Sequence, residues 1–268
     1  MTDLQFGVVG CAGRMGINVL RQIAGTNGCA ITGGSERPGH EAIGRDLGEL
    51  AGLEHLGLAV EGDPREMFER ASVVLDFTMP AATLAHAALA IETKTNLVIG
   101  TTGMTAADDA AIAQAAEKIA IMREGNMSLG VNVLAQLTKQ MARMLDDDFD
   151  IEVVEMHHRY KVDAPSGTAL ILGRAAAIGR GVDHDAVAIG GRYGITGERR
   201  KGDIGYASLR GGNVAGEHTI VFAADDERLE LTHKATDRAI FARGGVRAAR
   251  WLADKEPGLY GMADVLGL

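Results

Sequence analysis

Cysteine, aromatic rings, basic charge and long apolar runs are all scarce in this sequence of 268 residues, and each scarcity excludes something. The two cysteines, Cys11 and Cys29, fit no metal-ligand spacing and make a poor disulfide framework. No metal is therefore expected, and a reducing cytoplasm is the simplest setting. Aromatics at 4% beside 36 glycines suit tight strand-to-helix turns and close helix–sheet packing better than a ring-filled sandwich. Lys and Arg number 27 against 36 Asp and Glu, a formal charge of −9 that opposes general attraction to nucleic acid or anionic lipid. No window holds roughly 18 uninterrupted apolar residues, so no membrane span is expected. The opening Met1-Thr2-Asp3-Leu4 has neither the basic region nor the apolar stretch of a secretory signal.

What is present is a rhythm. Gln5 to Val9 reads as a short buried strand, broken by Gly10 and followed by a helix over about 14–24 that Gly25 ends. Cys29 to Thr32 is a second strand pattern. Ser72 to Phe77 and Asn96 to Ile99 are apolar runs, each followed by a helix pattern, over about 81–91 and 106–118, and Ile119 to Met122 adds another strand. Strands alternating with helices of roughly 10–15 residues predict a parallel, doubly wound sheet with helices on both faces. Near residue 127 the rhythm changes. A long helix over about 130–145 and a strand at 151–156 are followed by strand patterns at 206–210, 218–223 and 229–233 with no helix between them. That clustering predicts an α+β domain with a mostly antiparallel sheet. The expected division is a dinucleotide-binding domain over 1–127, a second domain over 128–238, and a last helix and tail over 239–268 returning to the first.

Gly10-Cys11-Ala12-Gly13-Arg14-Met15-Gly16 lies between the first strand and the first helix. As a bare glycine pattern it serves equally well as a tight turn. Its placement after an N-terminal strand favours a dinucleotide, whose pyrophosphate needs close backbone approach and free N–H groups at a helix start. Glu36 falls 20 residues after Gly16, where a carboxylate can accept hydrogen bonds from an adenosine ribose. Arg37 beside it can instead neutralise a 2′-phosphate, so the corner predicts loose discrimination between NADH and NADPH; an ordinary surface pair is the alternative. Asp76-Phe77-Thr78 and Gly100-Thr101-Thr102-Gly103 follow apolar runs, at the strand ends where open α/β sheets bind ligands. Their hydroxyls and backbone groups are candidates to hold the nicotinamide and its ribose.

The densest chemistry is the run Glu155-Met156-His157-His158-Arg159-Tyr160-Lys161-Val162-Asp163-Ala164-Pro165-Ser166-Gly167-Thr168-Ala169. Adjacent histidines on a strand point to opposite faces, which disfavours a shared metal. His157 and Lys161, four apart, fall on one side of a strand or a helix if the backbone stays regular, and two proton donors are then aimed at one centre. Pro165-Ser166-Gly167-Thr168 opens a helix pattern. Its hydroxyls either cap that helix or help make an anion site at its N-terminus. Cations just before such a start form a cradle for a substrate with more than one carboxylate. A second basic run, Arg199-Arg200-Lys201, reads as a solvated face.

Taken together, these motifs, with Asn126-Met127-Ser128-Leu129-Gly130-Val131-Asn132 and Gly216-Glu217-His218, make the chain resemble the 4-hydroxy-tetrahydrodipicolinate (dihydrodipicolinate) reductase family over essentially its whole length. The run Glu155 to Ala169 carries most of the specificity. The resemblance implies an N-terminal Rossmann domain, a C-terminal substrate and assembly domain, and a homotetramer. It implies hydride transfer from NADH or NADPH to a small cyclic dicarboxylate in lysine and diaminopimelate biosynthesis. By the same resemblance Gly10, Cys11, Ala12, Gly13, Arg14, Met15, Glu36, Arg37, Gly100, Thr101, Thr102, Glu124, Gly125, Asn126, Met127, Arg238 and Phe241 contact the cofactor. His157 and Lys161 match the family's proton donors, and His158, Lys161, Gly167 and Thr168 its substrate contacts. Met79 stands where some relatives carry a basic residue, and Tyr160 replaces a frequent His. Two rivals to this reading are a Rossmann dehydrogenase for another dicarboxylate and a nicotinamide-binding regulator without chemistry. The presence of His157, His158 and Lys161 disfavours the second.

Overall fold

The computed structural model describes residues 3–268; Met1 and Thr2, part of the opening stretch read for a secretory signal, lie outside them. In chain order the elements are β1 (Leu4–Val9), α1 (Arg14–Ala24), β2 (Cys29–Ser35), α2 (Leu47–Ala51), β3 (Val60–Glu61), α3 (Arg65–Arg70), β4 (Val73–Asp76), α4 (Pro80–Thr93), β5 (Asn96–Ile99), α5 (Ala106–Ala116) and β6 (Ala120–Arg123). There follow α6 (Leu129–Met144), β7 (Asp150–His157), α7 (Gly167–Arg180), α8 (His184–Val187), β8 (Ala188–Ile189), β9 (Ile204–Arg210), β10 (Gly216–Ala223) and β11 (Arg228–Ala235). The chain ends with α9 (Ala239–Leu252), β12 (Gly258–Tyr260) and α10 (Met262–Leu266). It divides into two compact units. One comprises the residues up to Ser128 together with Ala239–Leu268; the other is Leu129–Arg238.

Among the described residues of the first unit, seven strands form one sheet in the order β12-β6-β5-β4-β1-β2-β3, every pairing parallel. Its central strands are covered on both faces, so their sequences are apolar without alternation. Val8, Val73, Val74, Leu75, Leu97, Val98 and Ile121 are all fully buried, each contributing about 1.5–3 kcal/mol through burial. The strand order reverses between β1 and β4, and ligands of open α/β sheets bind at the carboxyl ends beside such a reversal. Helix α9 packs against α1, β4, β5 and β6, which brings the tail back to this unit. Its seating needs Gly244, where a Cβ would lie 1.7 Å from the Met127 carbonyl oxygen. Strand β12, too short to show a periodicity in the sequence, adds the seventh strand beside β6.

The second unit is a five-stranded sheet, among the described residues, in the order β11-β10-β7-β9-β8, with α6 and α7 packed together. β11, β10 and β7 pair antiparallel, as the strand clustering predicts. β9 and β8 join in parallel, so the sheet is mixed. The reason is the connection: after β7 the chain passes through α7 before β9 is laid down, and a helical crossover returns a strand parallel to the one it left. Register then aligns rows of side chains across the sheet. Phe222, Ile151 and Ile204 form one row and Ile220, Val153 and Tyr206 the next, all buried and facing the helices. The following row on the same face is polar: His218, Glu155 and Ser208.

Candidate functional site

In the first unit the glycine loop leaves β1 through Gly10, whose φ of 64° lies in the left-handed region. A Cβ at Gly16 would sit 2.2 Å from the Gly10 carbonyl oxygen, so α1 starts directly against the loop only because that residue is glycine. Gly13 caps α1 without a side-chain hydrogen bond, and no acidic residue occupies the first turn. A helix start of this kind keeps its N–H groups and positive dipole end for an anion. The Cys11 thiol is turned inward against Gly34; burial, reinforced by the Glu36 carboxylate, pushes it up to about 12. Cys11 is fully buried, and its own N–H donates to the Ser35 carbonyl at 3.2 Å, so it shapes the loop from beneath. Glu36 accepts the Ala12 N–H at 3.0 Å through Oε1, which ties the end of β2 to the glycine loop, while Arg37 is exposed.

Two cavities flank this loop within the unit. The larger, about 810 Å³, is lined by Gly10, Glu36, Arg37, Thr78, Met79 and His86 among others. The smaller, about 310 Å³, is lined by Met15, Phe77, Thr78, Gly100, Thr101, Thr102, Gly125, Asn126, Met127 and Phe241. The two cavities share Thr78 in their lining and lie on either side of the glycine loop. Met79 is 73% exposed and puts a thioether, not a cation, beside the larger chamber.

Several side chains expected at the cofactor also make contacts within the protein. Asp76, fully buried, accepts Thr78 N–H and Thr78 Oγ–H at 2.8 and 2.6 Å and pairs with His86 Nδ1 at 2.8 Å. Thr101 Oγ bonds Thr83 Oγ at 2.8 Å. The Thr78 and Thr101 hydroxyls are thus bonded inside the protein while both residues line the smaller cavity beside the exposed Thr102. Glu124 accepts from Gly125 N–H at 3.1 Å and from Met262 N–H at 3.4 Å, and its burial raises its pKa. Its carboxylate anchors the start of α10 and does not line the smaller cavity. Arg238 belongs to the second unit, where its guanidinium lies 3.1 Å from His158 Nε2.

In the second unit, alternation along β7 buries Ile151, Val153, Glu155 and His157 on one face. The regular backbone assumed for His157 and Lys161 ends at His157. Residues 158–161 form a turn in which Lys161 N–H donates to the His158 carbonyl at 3.1 Å. Lys161 still comes close enough for its charge to act on His157. Its ammonium pairs with Asp163 at 2.7 Å; Asp163 is 55% exposed, and such a pair is worth about 0–1 kcal/mol. A substrate carboxylate can displace it cheaply. Ser166 caps α7, accepting Ala169 N–H at 3.1 Å, while its own N–H donates to Glu155 at 3.2 Å. Gly167 and Thr168 therefore open α7 close to Glu155, and a Cβ at Gly167 would meet open space.

Sequence reasoning gave no role to Arg210, Glu155 or His218, whereas Ser166 was among the hydroxyls read as a possible helix cap and does cap α7. Glu155, 1% exposed, is gripped by both terminal nitrogens of Arg210 at 2.8 Å and touches His157 Nδ1 at 2.6 Å. Burial alone would raise its pKa, but the hydrogen bonds from Arg210, His157 and Ser208 hold it at about 2. His218, 4% exposed, bonds Ser166 Oγ at 2.9 Å and lies edge-on to His157, ring centres 5.1 Å apart. Burial, then the His157 charge, lowers it to about 4. The only local hint was an Arg closing a strand pattern, because its contact with Glu155 is made across the sheet. The Arg199 run is not merely solvated: Arg199 pairs with Asp150 and Glu152 and so braces β7.

Family models described as dihydrodipicolinate reductase, N-terminus, and dihydrodipicolinate reductase, C-terminus, match residues 4–127 and 130–266. A 4-hydroxy-tetrahydrodipicolinate reductase from Ruegeria pomeroyi is 56% identical over 261 residues, 97% of each chain. One from Rhodopseudomonas palustris is 54% identical over 268 residues, 100% of this chain and 98% of its own. Among solved structures, the dipicolinate-bound dihydrodipicolinate reductase from Paenisporosarcina sp. TG-14 superposes with a TM-score of 0.76 at 22% identity, covering 98% of this chain and 99% of its own. At that identity the likeness concerns the fold.

Proposed function

Because the chain belongs to the dihydrodipicolinate reductase family, we propose that it reduces 4-hydroxy-tetrahydrodipicolinate to tetrahydrodipicolinate, a step of lysine and diaminopimelate biosynthesis. The first unit binds a nicotinamide dinucleotide, and the reading assigns it both NADH and NADPH, since Glu36 suits a ribose hydroxyl and Arg37 a 2′-phosphate. When bound, the reduced nicotinamide supplies a hydride. The chain supplies the rest: one proton is consumed, and water leaves over the whole reaction. Gly10 to Met15 hold the pyrophosphate against the start of α1, and Phe241 with Gly125 to Met127 line the chamber at the other side.

The observation that carries the reading is the way the stretch 155–169 folds. It gathers an imidazole, an ammonium and a helix N-terminus at one end of the second sheet. His158, Lys161, Gly167 and Thr168 are assigned to the two carboxylates, with Arg238 beside His158 as a further cation. His157 and Lys161 are assigned the proton that quenches the electron density left by hydride addition. A positioned acid contributes on the order of 10²–10⁴-fold to such a step. His157→Gln should lower kcat by roughly two orders of magnitude with little change in substrate KM. Lys161→Ala should lower kcat similarly and raise substrate KM too, because a carboxylate loses its partner. Cofactor KM should hold in both. Full activity in both variants would remove the assigned donors.

A further inference from the structure

We propose that Glu155, held by Arg210, is the positioning residue for His157: it fixes the hydrogen on Nδ1 and leaves Nε2 as the nitrogen through which His157 passes a proton. The inference rests on the reading of His157 as a donor and adds how that donor is set. An ionised carboxylate can only accept hydrogen bonds. With Glu155 Oε2 2.6 Å from Nδ1, that nitrogen must carry the hydrogen. In neutral His157 the lone pair is then on Nε2. A Cβ at position 216 would lie 3.1 Å from Nε2, so Gly216 is what keeps that nitrogen uncovered. Only the imidazolium has an Nε2–H to give.

Arg210 makes the arrangement rigid. A buried carboxylate is unfavourable unless its lone pairs are filled. Here Arg210 donates to both oxygens and also to the Asp163 carbonyl, which locks the fork between β7 and the loop that carries Lys161. Register makes this contact, pairing Arg210 on β9 with His157 on β7 across the parallel ladder. The charged and titratable groups facing His157 are Glu155 on its own strand, Arg210 on β9, His218 on β10 and Lys161 in the turn. Burial lowers the His157 pKa, Glu155 pulls it back up, and Lys161 and Arg210 push it down again. His218 is neutral above about 4 and adds no charge at working pH. Glu155 is therefore the one group here that sustains the protonated donor.

The test is nitrogen NMR of histidine-labelled full-length protein, with pH profiles of kcat. Above its pKa, His157 in the unmutated protein should show Nδ1 protonated and Nε2 bare. In Glu155→Gln the His157 pKa should fall by about one unit or more, the usual effect of removing an adjacent opposite charge. Donation needs the protonated ring, so kcat falls as pH rises through this pKa, and that limb should move to lower pH by the same amount. Cofactor KM should not change. An Nε2–H tautomer in the unmutated protein, or an unmoved His157 pKa in Glu155→Gln, would overturn the positioning role. If Glu155→Gln fails to fold, the tautomer of the unmutated protein decides alone. Full activity of His157→Gln would instead remove the donor reading, a result separable from the NMR outcome.

Discussion

Arg37 stands exposed at the end of β2 beside a Glu36 that already holds the Ala12 N–H. On the proposed reading, the acidic and the basic side chain at this corner favour opposite cofactors. Arg37→Asp should raise the NADPH KM roughly tenfold, the scale of one charge-assisted hydrogen bond, and leave the NADH KM nearly unchanged. Steady-state kinetics with both cofactors decides it; equal effects would remove Arg37 from the site. At this scale legibility followed locality. Glu36, His157 and Lys161 could be proposed from the sequence because the pattern that marks each lies in neighbouring residues. Arg210 was not, because its contact with Glu155 spans 55 residues and is made by strand pairing. Glu124 and Thr101 were readable as positions, but not in orientation: one side chain turns to α10 and the other to Thr83.

Among elements, β7 shows how a strand becomes a site. Its alternation buries Ile151 and Val153 in the apolar core and continues the same face into Glu155 and His157. The strand pattern itself was plain in the sequence. The parallel attachment of β9 was not, since a short apolar run does not state which neighbour it will take. β11 ends the sheet, and the face of its side chains is largely open, with Arg228, Leu229, Glu230 and Leu231 exposed or half-buried. An uncovered edge of eight residues is a template for further pairing unless something covers it. We propose that copies of this chain cover it, forming a homotetramer through the second unit. Light scattering at working concentration should give four chain masses, and a monomeric mass would contradict the assembly.

At the scale of the whole molecule, the change of rhythm near residue 127 marks where the alternating strands and helices give way, and the compact units meet in sequence at Ser128 and Leu129. The return of the tail was legible only as a long helix. That it belongs to the first unit depends on the close approach of Gly244 to Met127, which no local pattern states. The division of labour is the centre of the account: dinucleotide on the first unit, dicarboxylate and proton delivery on the second. Its most direct test is the purified chain with freshly generated 4-hydroxy-tetrahydrodipicolinate, following loss of reduced-nicotinamide absorbance with NADH and with NADPH. The account predicts saturable oxidation of both cofactors that requires this substrate and is not supported by a panel of other dicarboxylates. Binding of the dinucleotide with no substrate-dependent oxidation, or faster turnover of a different dicarboxylate, would contradict it.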